Sequence, residues 1–467
     1  MEEQTLHFIA KSCGGRLINA QSESRVRNIS TDSRMVQAGD LFAAVPGDNF
    51  DGHDFLADVC AKGAVAALVE ETRVTALPPR FAAIAVSGTR RALGRIAAAY
   101  RKHFDLSAVA IAGSNGKTST KELLASVLRQ KLEIVSSAAS FNNDLGVPLT
   151  IFKIERHHQA GVFEVGTNHP GELRPLIEMI QPTAGIMTSI GREHLEFFGN
   201  IEGVLEEEGA LAELLPASGF LVVNGEGYGA ARLARRTRAR VIRIGTGPRC
   251  DWRISDVGLG ESGSRFRIET NDPEFCGEYQ TKLLGAHQVV NATYAAVVGK
   301  ELGLGRAEIQ RGLASCSGAK MRLQLKHIDD FVLLDDAYNA NADSMQAALD
   351  TLEKFPCKGR RIAVLGEMAE LGEASLAAHQ EIGRRAGVGI DCLVAVGRNS
   401  DVMAAAARSA GMRDVIDLPE AERAGAVVTE LVRPGDVVLV KASRSARLER
   451  VVEFLSARFG VTEPKLA

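Results

Sequence analysis

Along this chain, short runs of apolar residues alternate with stretches in which apolar positions return every three to four residues. A continuous apolar run of this length reads as a buried strand, and the longer period reads as an amphipathic helix. Asp40–Val45, Ala64–Val69 and Phe81–Val86 are the predicted strands of a first block, residues 1–85. Thr89–Arg101 reads as a connecting helix within residues 86–106. A second block, 107–320, carries runs at Ser107–Ala112, Val162–Val165, Ala184–Thr188, Phe220–Val223 and Val241–Ile244. Helical patterns between these runs predict a mostly parallel sheet. Cys250–Tyr279 is more polar and alternates (Trp252, Ile254, Phe266, Ile268), which predicts an antiparallel flap. The third block, 321–467, has runs at Phe331–Leu334, Arg361–Leu365, Cys392–Val396 and Val437–Val440. The pattern as a whole predicts an α/β chain of three blocks.

Polar residues gather where the apolar runs stop. The run ending at Ala112 passes into Gly113-Ser114-Asn115-Gly116-Lys117-Thr118-Ser119. Two glycines three positions apart, then Lys-Thr and a helix-compatible stretch, form the strand–loop–helix grammar of a phosphate cradle. Glycines let backbone N–H groups turn inward, Lys117 meets the terminal phosphates, and the Thr118 hydroxyl can sit on Mg²⁺. The helix that follows points the positive end of its dipole at the same phosphates. The full G-x-x-x-x-G-K-[ST] pattern is not met, because Ile111 holds the place of its first glycine. In the third block, Asp335–Asn339, Gly366–Glu370 and Lys441–Ser445 each follow a strand. Open α/β sheets bind ligands beyond the carboxyl ends of their strands, so these loops are expected to converge on one crevice. Ligand faces on two blocks suggest an enzyme that closes around two substrates.

Composition narrows the partners. Apolar residues make up 45% and charged residues 24%, as in an ordinary soluble protein. A formal charge of −3 gives no electrostatic reason to bind nucleic acid or an anionic membrane. The seven cysteines form no C-x-x-C pair, which suits reduced thiols in a cytoplasm. The start, Met-Glu-Glu-Gln, lacks a basic signal-peptide region and no apolar run reaches membrane-spanning length. A cytoplasmic protein without membrane insertion is expected.

The order of motifs is itself informative. Ser30–Arg34 and Pro46–Phe55 are followed by Gly113–Thr118, Asn142–Pro148, Glu164–Asn168 with Gly171-Glu172, and His194–Gly199. Then come Gly285–Ala292, Asp336–Asn341, Gly366–Gly372 and Gly435–Ser445. Together these segments resemble the Mur ligases, over essentially the whole chain. The resemblance implies a three-domain architecture: an N-terminal domain (1–85) for a UDP-sugar peptide, a central P-loop ATPase domain (107–320), and a C-terminal Rossmann-like domain (321–467) binding a dipeptide. It implies an ATP-dependent amide ligase of peptidoglycan synthesis. ATP would phosphorylate the terminal carboxylate of UDP-MurNAc-tripeptide, and the amine of D-Ala-D-Ala would attack the acyl phosphate. The Tyr338–Asn341, Glu367–Gly372 and Lys441–Ser445 segments point, within the family, to the dipeptide-adding member. ATP and Mg²⁺ are the implied cofactors, with Mn²⁺ open because a histidine ligand weakens the preference for Mg²⁺. A monomer is the family's habit.

The resemblance also assigns roles. Lys117 and the amides of Gly113–Thr118, with Ser119 beside them, would hold the phosphates, with Thr118 on the metal. Glu164 matches the family's metal carboxylate and His194 its second-metal ligand. His287 and Asn291 match a segment lining the adenine pocket, or else cap the helix over Val289–Val298. Arg322 matches a hinge arginine that reaches the ATP phosphates, and Asp336 and Asn339 lie near the ribose and base. Lys441, Ser443 and Arg444 match a loop facing the dipeptide; Thr31, Asp32, Ser33, Phe50, Asp51 and His53 belong to the UDP-sugar end. Two departures stand out. Lys320-Met321-Arg322 replaces the usual Lys-Gly-Arg, placing a Cβ in the hinge. The family's carbamylated lysine falls at Glu208, a carboxylate of the same charge on a shorter arm. A folylpolyglutamate-type or other Mur-type ligase is the nearest alternative, although in folate enzymes the phosphate loop lies close to the start. A nucleotide-binding homologue without chemistry is the other.

Overall fold

Ser107–Ala112 is buried beyond its first residue because it lies in the interior of a nine-stranded sheet. It pairs in parallel with Ala160–Glu164 on one side and Ala184–Met187 on the other. A strand covered on both faces needs apolar side chains at every position, which explains the unbroken run. The parallel part continues through Phe220–Asn224 and Arg240–Gly245 to Trp252–Gly260, and on the other flank to Ile134–Ser136. Trp252–Gly260, Gly263–Thr270 and Gly277–Thr281 then fold back antiparallel, as their alternating pattern predicts. The computed structural model describes residues 1–47 and 49–462. Asp48, within the Pro46–Phe55 segment, and residues 463–467 of the third block lie outside the described residues.

A five-stranded sheet precedes this one, in the order Arg16–Ile18, Ala83–Val86, Ala66–Glu70, Asp40–Ala43, Asn28–Ser30. The helix Thr89–Arg101 links the two sheets and buries Ala92, Leu93, Ile96, Ala97 and Tyr100 along one stripe. The Tyr100 hydroxyl donates to the Ile154 carbonyl at 2.7 Å, so the buried phenol is satisfied. Leu68 and Ile84 of the first sheet share one apolar cluster with Ile96, Ala110, Phe163 and Ile177 around the second. The opposite face of the second sheet packs Ile111, Leu124, Tyr294 and Val298 in a separate cluster.

The third sheet has seven strands and its own two cores, one around Leu334, Met345 and Ile382, the other around Val364, Val428 and Val452. Its parallel strands run in the order Asp414–Leu418, Cys392–Val396, Arg361–Leu365, Val437–Lys441, Phe331–Asp336. Gln324–Ile328 and Val461–Thr462 add an antiparallel edge. Helices leave Arg361–Leu365 and Val437–Lys441 towards opposite faces, which opens a crevice at their carboxyl ends. That crevice faces the phosphate loop.

Candidate active site

The loop between Ser107–Ala112 and the helix Lys117–Leu128 takes a shape that only glycine allows at two points. Gly113 has φ +115° and Gly116 φ +88°. A Cβ on Gly113 would sit 2.5 Å from Thr188 Oγ1, and one on Gly116 2.7 Å from Asn291 Oδ1. Ile111 needs no such freedom, since it is still within the strand and fully buried. That is why the missing first glycine costs the loop nothing.

The Lys117 ammonium lies inside the loop, donating to the Gly113 carbonyl and standing 3.7 Å from Glu193 Oε2. Burial pulls its pKa down, but Glu193, Glu208 and Glu164 outweigh that and hold it above the usual lysine value. Thr118 Oγ1 donates to Glu164 Oε1 at 3.1 Å, and Asn142 Nδ2 to the same oxygen at 3.0 Å. Glu164 Oε2 is buried without any partner. An orphaned carboxylate oxygen beside a threonine hydroxyl is costly unless a cation completes it. Among the described residues, no group of three or more His, Cys, Asp or Glu stands ready to hold an ion alone. Mg²⁺ commonly takes one or two carboxylates plus substrate phosphates, so the Thr118–Glu164 pair fits it. Glu208 ends the helix Ile201–Glu208 and is buried beneath the loop. Its Oε2 accepts the Gly113 N–H at 2.8 Å, while Oε1 has no partner. Burial pushes its carboxyl up to about 8.

The far wall of the cleft, about 420 Å³ in volume, comes from the third sheet. Arg322 lays its guanidinium 4.1 Å over the Tyr338 ring, which aims it without consuming its donors. Met321 and Leu323 on either side have φ +57° and +51°, so the hinge holds two side-chain-bearing residues in a left-handed shape. Asn341 Nδ2 donates to Asn115 Oδ1 at 3.0 Å across the cleft. Arg192 clamps Asp343 and Glu381 with four guanidinium bonds of 2.7–3.0 Å. His194 (φ +48°) donates through Nδ1 to Glu370 Oε2 at 2.5 Å, and Glu370 is itself left-handed at φ +59°.

Of the residues singled out in the sequence, Ser114–Ser119, Glu164, His194, Arg322, Asn339, Ser443 and Arg444 line this one cleft. Gly113, Glu208, His287, Asn291, Asp336 and Lys441 do not line it. Asn291 touches Gly116 and donates to Gln288 Oε1 at 2.9 Å. Burial pulls His287 down to about 4, keeping it neutral. Lys441 is buried, bonded at 2.7 Å to Asp336 Oδ2 and at 3.0 Å to the Asn339 carbonyl. Asp336 Oδ1 accepts the Leu323 N–H at 3.1 Å, so the Lys441–Asp336 pair braces the hinge from within. Ser443 donates to the Ala340 carbonyl at 3.0 Å and accepts from the Ala369 N–H at 2.8 Å. The first-sheet residues stand elsewhere. Thr31, Asp32 and Ser33 follow the strand Asn28–Ser30, and Arg34 holds the Asp32 carboxyl down at about 2. His53 donates to Asp51 at 2.6 Å and accepts the Glu70 N–H at 3.0 Å, with Phe50 exposed beside them. Asn142 and Glu370 lie in segments singled out in the sequence, Asn142–Pro148 and Gly366–Glu370, but were given no individual role there. Arg192 and Glu193 were missed, and their one signal is that they directly precede His194.

Comparison with known proteins places this geometry. Family models match residues 25–101 (Mur ligase family, catalytic domain), 111–299 (Mur ligase middle domain) and 321–444 (Mur ligase, glutamate ligase domain). The UDP-N-acetylmuramoyl-tripeptide–D-alanyl-D-alanine ligase of Mycobacterium bovis is 34% identical over 98% of this chain and 98% of its own. That of Escherichia coli K12 is 33% identical over 91% and 93%. A crystal structure of MurF from Acinetobacter baumannii superposes with a TM-score of 0.89 at 29% identity, over 98% of this chain and 100% of that one. MurF from Thermotoga maritima, solved in complex with ADP, gives 0.81 at 27% identity over 93% and 98%. With family models on all three sheets and relatives matched almost end to end, the chain belongs to the Mur ligase family.

Proposed function

We propose that this chain joins D-alanyl-D-alanine to UDP-N-acetylmuramoyl-tripeptide at the expense of ATP, as a cytoplasmic monomer of peptidoglycan synthesis. One observation carries the reading: the phosphate loop and the unspent Arg322 guanidinium face one another across a single cleft built by one chain. The names of the matched relatives supply the two substrates. No helix among the described residues is long and apolar enough to cross a membrane, which supports action on soluble substrates.

Lys117 and the amides of Gly113–Thr118 hold the β- and γ-phosphates of ATP, the ammonium exchanging the Gly113 carbonyl for phosphate oxygen. Thr118 and Glu164 hold Mg²⁺, or Mn²⁺, which neutralises charge on the phosphates. The tripeptide's terminal carboxylate attacks the γ-phosphorus; a carboxylate–phosphorus bond forms, the bridging P–O bond breaks, and ADP leaves. Arg322 meets the charge that spreads over the transferring group. The dipeptide amine then attacks the acyl carbon and loses its proton as phosphate departs. Arg444, on the cleft rim, offers a cation to the dipeptide carboxylate. Ser443 fixes its own loop, and Lys441 and Asp336 fix the hinge rather than the substrate. Asn339 borders the nucleotide and Asn291 supports the loop from behind, while His287 lies beside Gly285 at the start of its own helix. Exposed Phe50, with Asp51 held by His53 and Arg73, and the Thr31–Ser33 turn receive the UDP-sugar end.

The test is ADP release measured with ATP, UDP-MurNAc-tripeptide and D-Ala-D-Ala, and with each substrate omitted in turn. Release that needs both acceptor substrates is expected, with either a diaminopimelate or a lysine tripeptide. Release that ignores the dipeptide overturns the reading.

A further inference from the structure

We infer that Lys121, a buried lysine outside the cleft, is a positioning residue for the proposed reaction. It pins residues 137–142, and through Asn142 it sets how Glu164 presents its free carboxylate oxygen. The inference rests on the reading of Glu164 as a metal carboxylate and adds Lys121 and Asn142 to it.

Lys121 stands one helical turn beyond Lys117 on the helix Lys117–Leu128, yet its side chain turns into the protein and is fully buried. Lysines are almost never buried outright, because an ammonium taken out of water is costly unless its donors all find acceptors. Here three acceptors meet three donors. The ammonium donates to the Ser137 carbonyl at 3.0 Å and the Ala139 carbonyl at 2.6 Å, and pairs with Glu122 Oε1 at 2.6 Å. No donor is left over, so the group holds structure and does not itself meet a substrate. Both carbonyls belong to one segment. Residues 137–145 run between the strand Ile134–Ser136 and the helix Gly146–Ile151 without a helix or strand of their own. Ala138, Ala139 and Phe141 are exposed, and Ala139 sits at φ +44°. Alanine enters the left-handed region only at an energetic cost, so a contact from outside the segment must hold it there. The bond from Lys121 to the Ala139 carbonyl is that contact.

The pinned segment carries the groups that surround Glu164. Ser137 Oγ accepts the Glu164 N–H at 3.2 Å, and the Asn142 carbonyl accepts the Gly166 N–H at 2.9 Å. Asn142 Nδ2 and Thr118 Oγ1 both donate to Glu164 Oε1. Two donors on one oxygen fix the rotation of the carboxylate. They leave Oε2, buried and unpartnered, as the oxygen free to meet a cation. Without the Asn142 amide, the carboxylate can exchange its two oxygens or turn to Lys117, whose charge it already supports. Groups that hydrogen-bond a ligating carboxylate commonly change metal affinity about 10–100-fold, because they fix its orientation. Asn142 is such a group, and Lys121 keeps it in reach.

The experiment titrates Mn²⁺ into the full-length protein with ADP bound, following free Mn²⁺ by electron paramagnetic resonance, so that no turnover is involved. Lys121→Met keeps the length and removes every donor, whereas Asn142→Ala removes the amide that touches Glu164. Each is expected to weaken Mn²⁺ binding about 10-fold or more. The double variant should match the weaker single one within about twofold, because both changes release the same carboxylate. ADP affinity in EDTA should be unchanged, since Lys117 and the loop amides are intact. Lys121→Arg keeps the charge and should fall between wild type and Lys121→Met, and it carries the comparison if circular dichroism shows Lys121→Met unfolded. Equal Mn²⁺ affinity in wild type and the folded Lys121 variants overturns the inference. So do losses that add in the double variant, which would make Lys121 independent of Asn142. So does an equal loss of metal-free ADP binding, which would make Lys121 a general prop of the fold. These three results leave the ligase reading intact, whereas a wild-type protein that binds no ADP overturns both.

Discussion

Arg192 is the strongest single tie between the phosphate-loop sheet and the third sheet, and its removal should loosen the closed cleft. Its guanidinium makes two bonds to Asp343 Oδ1 and two to Glu381, while its backbone N–H holds Asp343 Oδ2 at 2.8 Å. Arg192→Ala deletes the four side-chain bonds and leaves the backbone one. The side chain is 34% exposed and its partners 37% and 43%, so the freed carboxylates return to water rather than remaining buried. Each pair is then worth about 0.5–1 kcal/mol after solvent screening. The two together contribute about 1–2 kcal/mol to the closed state, or roughly a tenfold shift in the closure equilibrium. On the proposed function, nucleotide binding would draw on that equilibrium, because Lys117 and Arg322 would reach the phosphates together only with the cleft shut. Small-angle scattering should show the wild type compacting with ATP and UDP-MurNAc-tripeptide, and Arg192→Ala compacting less. Its KM for ATP should rise about tenfold, and Glu381→Gln should add little once Arg192 is gone. A mutant with unchanged scattering and KM within twofold would refute the reasoning.

Other residues give sharper yes-or-no outcomes. Glu208→Ala should lose most turnover by releasing the Gly113 amide, wild-type activity should not depend on bicarbonate, and Glu208→Lys should regain activity when bicarbonate is supplied. Near-normal activity in Glu208→Ala would sink this. Gly116→Ala must force a Cβ into Asn291 at φ +88°, so calorimetric ADP affinity should fall at least tenfold while circular dichroism stays native. His379 is fully buried, donating to the Ser375 carbonyl and accepting the Met368 N–H, and burial depresses its pKa below 6.5. The unfolded chain therefore takes up this proton first as pH falls below about 6.5, and stability drops from there until the folded-state pKa is reached. Urea midpoints between pH 7 and 5 should fall more steeply for wild type than for His379→Gln.

Interior elements were readable because burial on both faces leaves unbroken apolar runs, as at Ser107–Ala112 and Cys392–Val396. Asp414–Leu418 and Gln324–Ile328 escaped the same reading because each lies towards an edge and keeps half-exposed polar positions. The phosphate loop was legible without its first glycine, since the two glycines that need positive φ are present. Lys441 and Ser443 were legible as polar residues after a strand, but not their partners: only the fold shows Lys441 spent on Asp336. Arg192 and Glu193 look like ordinary loop charges until residues 151 and 76 positions away, Asp343 and Lys117, are brought beside them. No local pattern encodes such a pairing.

The apolar cluster running without a break from the first sheet into the second has a thermodynamic consequence. Those two sheets cannot separate without wetting a large hydrocarbon surface, so they form one cooperative melting unit despite being two architectural layers. The third sheet takes only Leu284 and the half-buried Leu195 of the second block into its core, and otherwise meets its neighbour through polar ties such as Arg192, Asn341 and Glu370. Swinging it exposes mainly groups that water solvates readily. The hinge motion should thus be nearly silent in heat capacity, and the enzyme can open and shut many times without approaching the calorimetric cost of unfolding.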